Sequence, residues 1–186
     1  QRLARRNIAA FERAGPFDAL AVDAAGCGAA LREYGELLAE DPAWAQRATA
    51  LAARVRDVLE LLAEDPPPLP RAVPRTVAYH DACHLAHVQG VRSAPRALLS
   101  RVPGLELRPL ENSDRCCGAA GLYGLLNPAE SALMLRDKLD CVQASGAELV
   151  AAANPGCLLQ LAAGAHLRGL TVQAIHPLSL LAQALE

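Results

Sequence analysis

Glu148-Leu149-Val150-Ala151-Ala152-Ala153-Asn154-Pro155-Gly156-Cys157 reads as a short apolar run, a turn, and a thiol at the start of the next segment. An apolar run of this length fits a short strand. Strand 148–153 followed by helix 157–167 is the expectation, with Cys157 at the junction. The same wording occurs earlier. Asp18-Ala19-Leu20-Ala21-Val22-Asp23-Ala24-Ala25-Gly26-Cys27 aligns with it and carries Cys27 onto Cys157. At the same offset, helix 2–14 falls on helix 132–144. Both copies end in a Leu-rich helix, Val55–Leu62 and Pro177–Leu185. Chance likeness between two Ala-rich units is the plainer explanation, and an internal repeat is the sharper one.

Working outward, strand-like and helical segments alternate. Strands are expected at 17–22, where Phe17-Asp18-Ala19-Leu20-Ala21-Val22 reads as a buried one, and at 75–80, 105–110, 148–153 and 170–175. Helices are expected at 2–14, 28–38, 43–63, 91–101, 128–144 and 157–167, and from Pro177 onward. Asn127-Pro128 supplies a cap and a first-turn proline for one of them. Such alternation implies right-handed crossovers and a parallel sheet, the α/β class. Asp65-Pro66-Pro67-Pro68-Leu69-Pro70 interrupts the pattern, because consecutive prolines remove donors and disfavour helix. The expected organisation is therefore residues 1–65 as the later half of a first repeat, 66–74 as a Pro-rich linker, and 75–186 as a second, complete repeat. A counterpart to Arg75 in the first copy would fall before residue 1, so the first copy reads as truncated.

The chain has 186 residues, 52% hydrophobic and 20% charged, which suits a globular protein of one domain or one and a half. Aromatics are only 3%, so Leu, Val and Ala must fill the core. A net charge of −2 argues against a dedicated nucleic-acid binder, which needs a Lys/Arg excess to neutralise phosphates. No apolar run reaches the roughly 18 residues of a membrane span. The opening Gln1-Arg2-Leu3-Ala4-Arg5-Arg6 lacks the apolar stretch of a signal peptide. A cytoplasmic location follows as the expectation, and six cysteines there suggest metal or redox chemistry rather than structural disulfides.

Cys83, the Cys116-Cys117-Gly118 run and Cys157 each follow an expected strand, at 75–80, 105–110 and 148–153. Ligand sites of open α/β sheets lie beyond the carboxyl ends of their strands. Four thiols distant in sequence would converge there, the number that commonly holds an iron–sulfur cluster. Gly118, Gly121 and Gly156 suit tight turns around such a centre. Helix starts after Cys117 and Cys157 would offer N–H groups to thiolates. Thiol–disulfide chemistry and simple burial are the alternatives, although adjacent cysteines rarely bond each other. His80, His84 and His87 surround Cys83 and could make a Cys/His zinc site, or merely orient neighbours. Tyr79, Asp81 and Arg115 border the same edge. Cys141 lies mid-helix with no partner motif and reads as packing.

The order Cys83, Cys116-Cys117-Gly118, Asn154-Pro155-Gly156-Cys157 resembles the cysteine-rich CCG domain of heterodisulfide reductase B subunits, anaerobic glycerol-3-phosphate dehydrogenase, lactate-utilisation proteins and glycolate oxidase. Within that set the sequence is most similar to glycolate oxidase iron–sulfur subunits. The likeness rests on Ala24-Ala25-Gly26-Cys27-Gly28, Tyr34-Gly35-Glu36-Leu37-Leu38 and His80-Asp81-Ala82-Cys83-His84-Leu85-Ala86-His87. It extends through Pro103-Gly104-Leu105-Glu106-Leu107 and Arg115-Cys116-Cys117-Gly118-Ala119-Ala120-Gly121. The family normally opens with two ferredoxin-like cluster motifs, and no Cys-x-x-Cys-x-x-Cys occurs here. The broader domain often ends in Cys-x-x-Cys, whereas Asn154 holds the first of those positions, leaving four thiols rather than five.

What this resemblance implies is electron transfer. Cys83, Cys116, Cys117 and Cys157 would ligate an iron–sulfur cluster of the 4Fe-4S type, and Cys27 would serve only in a full-length protein. FAD would reside in a partner subunit that oxidises glycolate to glyoxylate, with electrons passed towards quinone by peripheral contact at the inner face of the cell membrane. No flavin or nicotinamide fingerprint occurs in this chain, so it should be inactive on glycolate alone. The alternatives are a lactate-utilisation or heterodisulfide-reductase-like relative, and a zinc-stabilised assembly module.

Overall fold

The computed structural model describes residues 1–185. The first part of the chain runs α1 (Arg2–Arg13), β1 (Leu20–Val22), α2 (Ala25–Arg32), α3 (Tyr34–Leu37), α4 (Ala45–Ala52), β2 (Val55–Asp57) and α5 (Val58–Glu64). The second part runs β3 (Thr76–Tyr79), a π-helical turn at His84–Val88, α6 (Ala94–Leu99), β4 (Glu106–Arg108), α7 (Tyr123–Leu126) and α8 (Pro128–Ala144). It ends with β5 (Leu149–Ala151), α9 (Pro155–Leu167), β6 (Gln173–Ile175) and α10 (Pro177–Leu185). The parallel α/β architecture expected from the strand–helix alternation is present.

Two sheets form. The first pairs β1 with β2 in parallel, Leu20 opposite Val55 and Val22 opposite Asp57, and β1 is only partly buried rather than the buried strand expected, with Ala21 exposed in a sheet of two strands. The second has four parallel strands in the order β4-β3-β5-β6. All three residues of β5 are buried, which is why its sequence is a continuous apolar run rather than an alternating one. Helices cover the sheet with small and branched residues. Leu98 and Leu99 of α6, Leu139 of α8, Leu161 of α9 and Leu180 of α10 are almost completely enclosed.

The single helix expected over 43–63 is instead two helices separated by a strand. Val55 and Asp57 are buried in β2, and the Asp57 carboxylate accepts the Leu59 N–H at 2.9 Å to cap α5. An Asp at that position ends one segment and starts the next, a cap that the apolar spacing on either side masks. The helix expected over 28–38 is divided too. Its first piece begins at Ala25, so Cys27 sits in the first turn of α2 and is exposed.

The two parts share a core. Ala25 and Leu59 lie in the same buried cluster as Val77, Leu85 and Leu161. The Ala25 N–H donates to the Ala153 carbonyl at 3.1 Å, and the Gln89 amide donates back to the Ala25 carbonyl at 2.8 Å. The Pro-rich stretch between them is anchored to the second part, with Arg71 N–H on the Ala184 carbonyl at 3.1 Å and Val73 N–H on the Pro103 carbonyl at 2.7 Å. A smaller core of Ala4, Ile8, Leu38, Ala48 and Leu51 closes α1 over α4.

Candidate metal centre

Strands β3 and β5 are central neighbours, yet the chain leaves them in opposite directions. From β3 it crosses to β4 on one side, and from β5 to β6 on the other. Such a reversal opens a crevice at the carboxyl ends of the two strands, the usual ligand position in this class of sheet. Cys83 follows β3 at the entry to the π-helical turn, and Cys157 stands in the first turn of α9 after β5. Cys116 and Cys117 arrive on the loop that follows β4.

That loop is held by polar contacts. Asp81 N–H donates to the Ser113 carbonyl at 3.0 Å. Arg96 grips the Asp81 carboxylate with both terminal nitrogens, at 2.6 and 2.7 Å, and reaches Ser113 Oγ at 3.3 Å. Burial opposes ionisation of Asp81, but the Arg96 fork and Ser113 outweigh it and hold the carboxyl below its ordinary value. The buried Lys138 ammonium donates to the Asn112 and Ser113 carbonyls from the other side. Gly118 turns the chain away with φ +88°, and its carbonyl accepts the Ser131 hydroxyl at 2.9 Å. These supports were not evident from sequence, because Arg96, Ser113, Ser131 and Lys138 look like ordinary surface residues there.

The structure brings Cys83, Cys116, Cys117 and Cys157 together in series. Cys83 contacts Cys116, Cys116 contacts Cys117, and Cys117 contacts Cys157. Cys117 and Cys157 are buried, while Cys83 and Cys116 are partly open. Hydrogen bonds from the Cys117 and Cys83 thiols, helped by Gly118 N–H at 3.3 Å, draw Cys116 down to about 2. The neighbouring Cys117, helped by the Asn154 amide, holds Cys157 down at about 5 against its burial. Cys83 and Cys117 move the other way, chiefly because each donates to the neighbouring Cys116 sulfur and is buried. A metal bound here would hold these sulfurs as thiolates.

One further donor faces the same sulfurs. His80 is fully enclosed, and one of its ring nitrogens lies within 4.8 Å of both the Cys117 and the Cys157 sulfurs. Its Nδ1 pairs with the Ser113 carbonyl at 3.0 Å, and its Nε2 has no hydrogen-bond partner among the described residues. The other two histidines differ. His84 Nδ1 lies 3.7 Å from Cys83, and His87 bonds the Asp114 carbonyl and Arg92. Four convergent sulfurs and an orphaned imidazole nitrogen fit a thiolate-bound metal or iron–sulfur group.

Asn154 immediately precedes α9 and bridges the two parts of the chain. Its Oδ1 accepts the Gly26 N–H at 3.1 Å, and its Nδ2 donates to the Cys157 sulfur at 3.5 Å. Cys141 is on α8, where it lines a cavity of about 260 Å³ together with Cys116, Arg115 and Lys138. Tyr79 is buried beneath the Arg96 guanidinium, 4.9 Å from the ring centre.

Residues 77–162 match the cysteine-rich domain family known as CCG. Over 98% of its length the chain is 41% identical to the probable glycolate oxidase iron–sulfur subunit of Bacillus subtilis, and it covers 42% of that protein. It is 32% identical to lactate utilization protein A of Shouchella clausii, with 95% of this chain and 73% of the relative aligned. For lactate utilization protein A of Lysinibacillus sphaericus the identity is 31%, over 92% of this chain and 75% of the relative.

Proposed function

The chain belongs to the cysteine-rich family that contains the glycolate oxidase iron–sulfur subunit and lactate utilization protein A, and on that premise we propose that it is an electron-carrying subunit of a 2-hydroxy-acid oxidoreductase. The observation that carries this reading is the convergence of Cys83, Cys116, Cys117 and Cys157 at the crevice between β3 and β5. These four would hold a cluster of the 4Fe-4S type. When bound, such a cluster supplies single-electron transfer.

The chain's own residues set the conditions. Cys117 and Cys157 close the inner side against water, so charge there is poorly screened. Gly118 N–H and the Asn154 amide point at sulfur and stabilise negative charge on it. Lys138 adds a buried positive charge behind the loop. The partly open Cys83 and Cys116 mark the side from which a redox partner would approach.

The substrate is glycolate, oxidised to glyoxylate in a flavin-bearing partner where two electrons and two protons leave it. This subunit passes the electrons towards quinone. Glycolate is preferred to lactate because the 41% identity to the glycolate oxidase subunit exceeds the 32% to lactate utilization protein A. No helix is long and apolar enough to cross a membrane among the described residues. A cytoplasmic protein with peripheral membrane contact suits the quinone step. A zinc site is the second reading, favoured by the close His80–Cys117–Cys157 trio.

Anaerobic reconstitution with ferrous iron and sulfide tests the proposal. Brown protein bleached by dithionite supports it. Colourless protein that takes up zinc but no sulfide overturns it. Turnover then needs the flavin partner, because hydride or electron removal from a 2-hydroxy acid requires a cofactor that this chain has no fingerprint for.

A further inference from the structure

We propose that His80 is itself a ligand of the metal centre, binding iron through Nε2 beside Cys117 and Cys157, so that the centre is of mixed cysteine–histidine type. The inference rests on the iron–sulfur reading above and adds a donor to it.

The argument begins with the tautomer. The Ser113 carbonyl 3.0 Å from Nδ1 can only accept a hydrogen bond, so Nδ1 carries the proton. With that proton on Nδ1, Nε2 is the nitrogen left to bind a metal. It is sealed from water and has no hydrogen-bond partner among the described residues. Buried polar atoms of this kind are nearly always satisfied, and an exception marks a missing water, ion or ligand. A ring nitrogen of His80 lies within 4.8 Å of two buried cysteine sulfurs, a spacing that could hold a metal ion.

The surroundings fix the ring for this task. A metal-bound imidazole typically gives its other N–H to a carbonyl or carboxylate, which is what Ser113 receives. Ser113 in turn is held by the Asp81 N–H, the Arg96 guanidinium and Lys138. Replacing a thiolate by imidazole raises a cluster's potential, as in centres where histidine replaces cysteine on one iron.

Nitrogen hyperfine spectroscopy decides it. The whole chain is labelled with ¹⁵N-histidine, loaded anaerobically with ferrous iron and sulfide, and reduced with dithionite. The wild type should show a strongly coupled nitrogen that follows the isotope. His80→Asn keeps an amide donor for the Ser113 carbonyl but has no counterpart of Nε2, and should lose that coupling. His80→Cys restores a ligand and should retain the cluster with no histidine coupling and a lower midpoint potential. A loaded wild-type cluster with only weak nitrogen couplings, or unchanged strong coupling in both variants, overturns the role of His80 alone. Failure of the wild type to take up sulfide overturns the cluster reading and this proposal together.

Discussion

The Gly26 N–H donates to Asn154 Oδ1 at 3.1 Å, joining the first turn of α2 to the residue that precedes α9. Asn154 also donates to Cys157 at 3.5 Å, so one side chain ties the two parts of the chain and orients a candidate ligand. Asn154→Ala should lower stability by about 1–2 kcal/mol, the cost of leaving a partly buried donor unpaired, measured by urea denaturation. The Ala25 N–H on Ala153 remains in the variant, so unfolding should stay a single transition. A variant with wild-type stability would mean that the bond has no net worth.

The β5 strand and the place of Cys157 just after it were legible, because a buried parallel strand has no polar face and shows as a continuous apolar run. The Pro128–Ala144 helix was legible to the residue, since Asn127 and Pro128 mark its start. The β2 strand was hidden, because Val55-Arg56-Asp57 is short and flanked by helix-period residues, and only pairing with β1 stabilises it. His80 was hidden for a related reason. Its position after a strand reveals burial, but the absence of a partner for Nε2 is a tertiary property.

Gly118 should tolerate no side chain. Its φ is +88°, and a Cβ there would lie 2.5 Å from the Ser131 carbonyl oxygen. Gly118→Ala combines left-handed strain of about 1–2 kcal/mol with an overpacking cost of about 1–3 kcal/mol. Gly121→Ala is the control, with φ +56° and open space around the Cβ, so only the strain of about 1 kcal/mol applies. Thermal melting of both proteins checks the ranking, and iron uptake should fall in Gly118→Ala but not in Gly121→Ala. Equal melting points for the two variants would show that Ser131 simply moves aside.

Asp57 gives stability a definite pH slope. Burial lifts its carboxyl from 3.8 to about 6, against the opposing Leu59 N–H bond. A raised folded-state value means that the folded chain binds the proton more tightly. The contribution is complete below 3.8 and is lost as pH rises towards 6, amounting to about 3 kcal/mol at most. Asp57→Asn keeps the oxygen that caps α5 and removes the charge. It should be more stable than wild type at pH 7 and indistinguishable at pH 3.5. Urea midpoints at the two pH values test this, and a less stable Asn variant at pH 7 would show that the charge is favourable where it stands.

The cysteines separate into those the site needs and those it does not. Cys83, Cys116, Cys117 and Cys157 contact one another in series, so each removal breaks the chain of donors at a different point. Even an outer partner of a metal site is worth ~10- to 100-fold in affinity, and a direct ligand should exceed that. Serine at any of the four should therefore abolish iron and sulfide uptake under conditions that load the wild type. Cys117→Ser should be the most severe, since Cys117 bridges Cys116 and Cys157 and is buried. Cys27 is exposed in the first turn of α2, and Cys27→Ala should load normally. Cys141 is the informative control. It shares a cavity of about 260 Å³ with Cys116, which makes it the nearest substitute if Cys116 is lost. Cys141→Ala alone should leave uptake intact. If Cys116→Ser retains partial loading, the Cys116→Ser, Cys141→Ala double variant should remove it. Loading that survives the double variant would exclude Cys116 as a required ligand and leave Cys83, Cys117, Cys157 and His80 as the set.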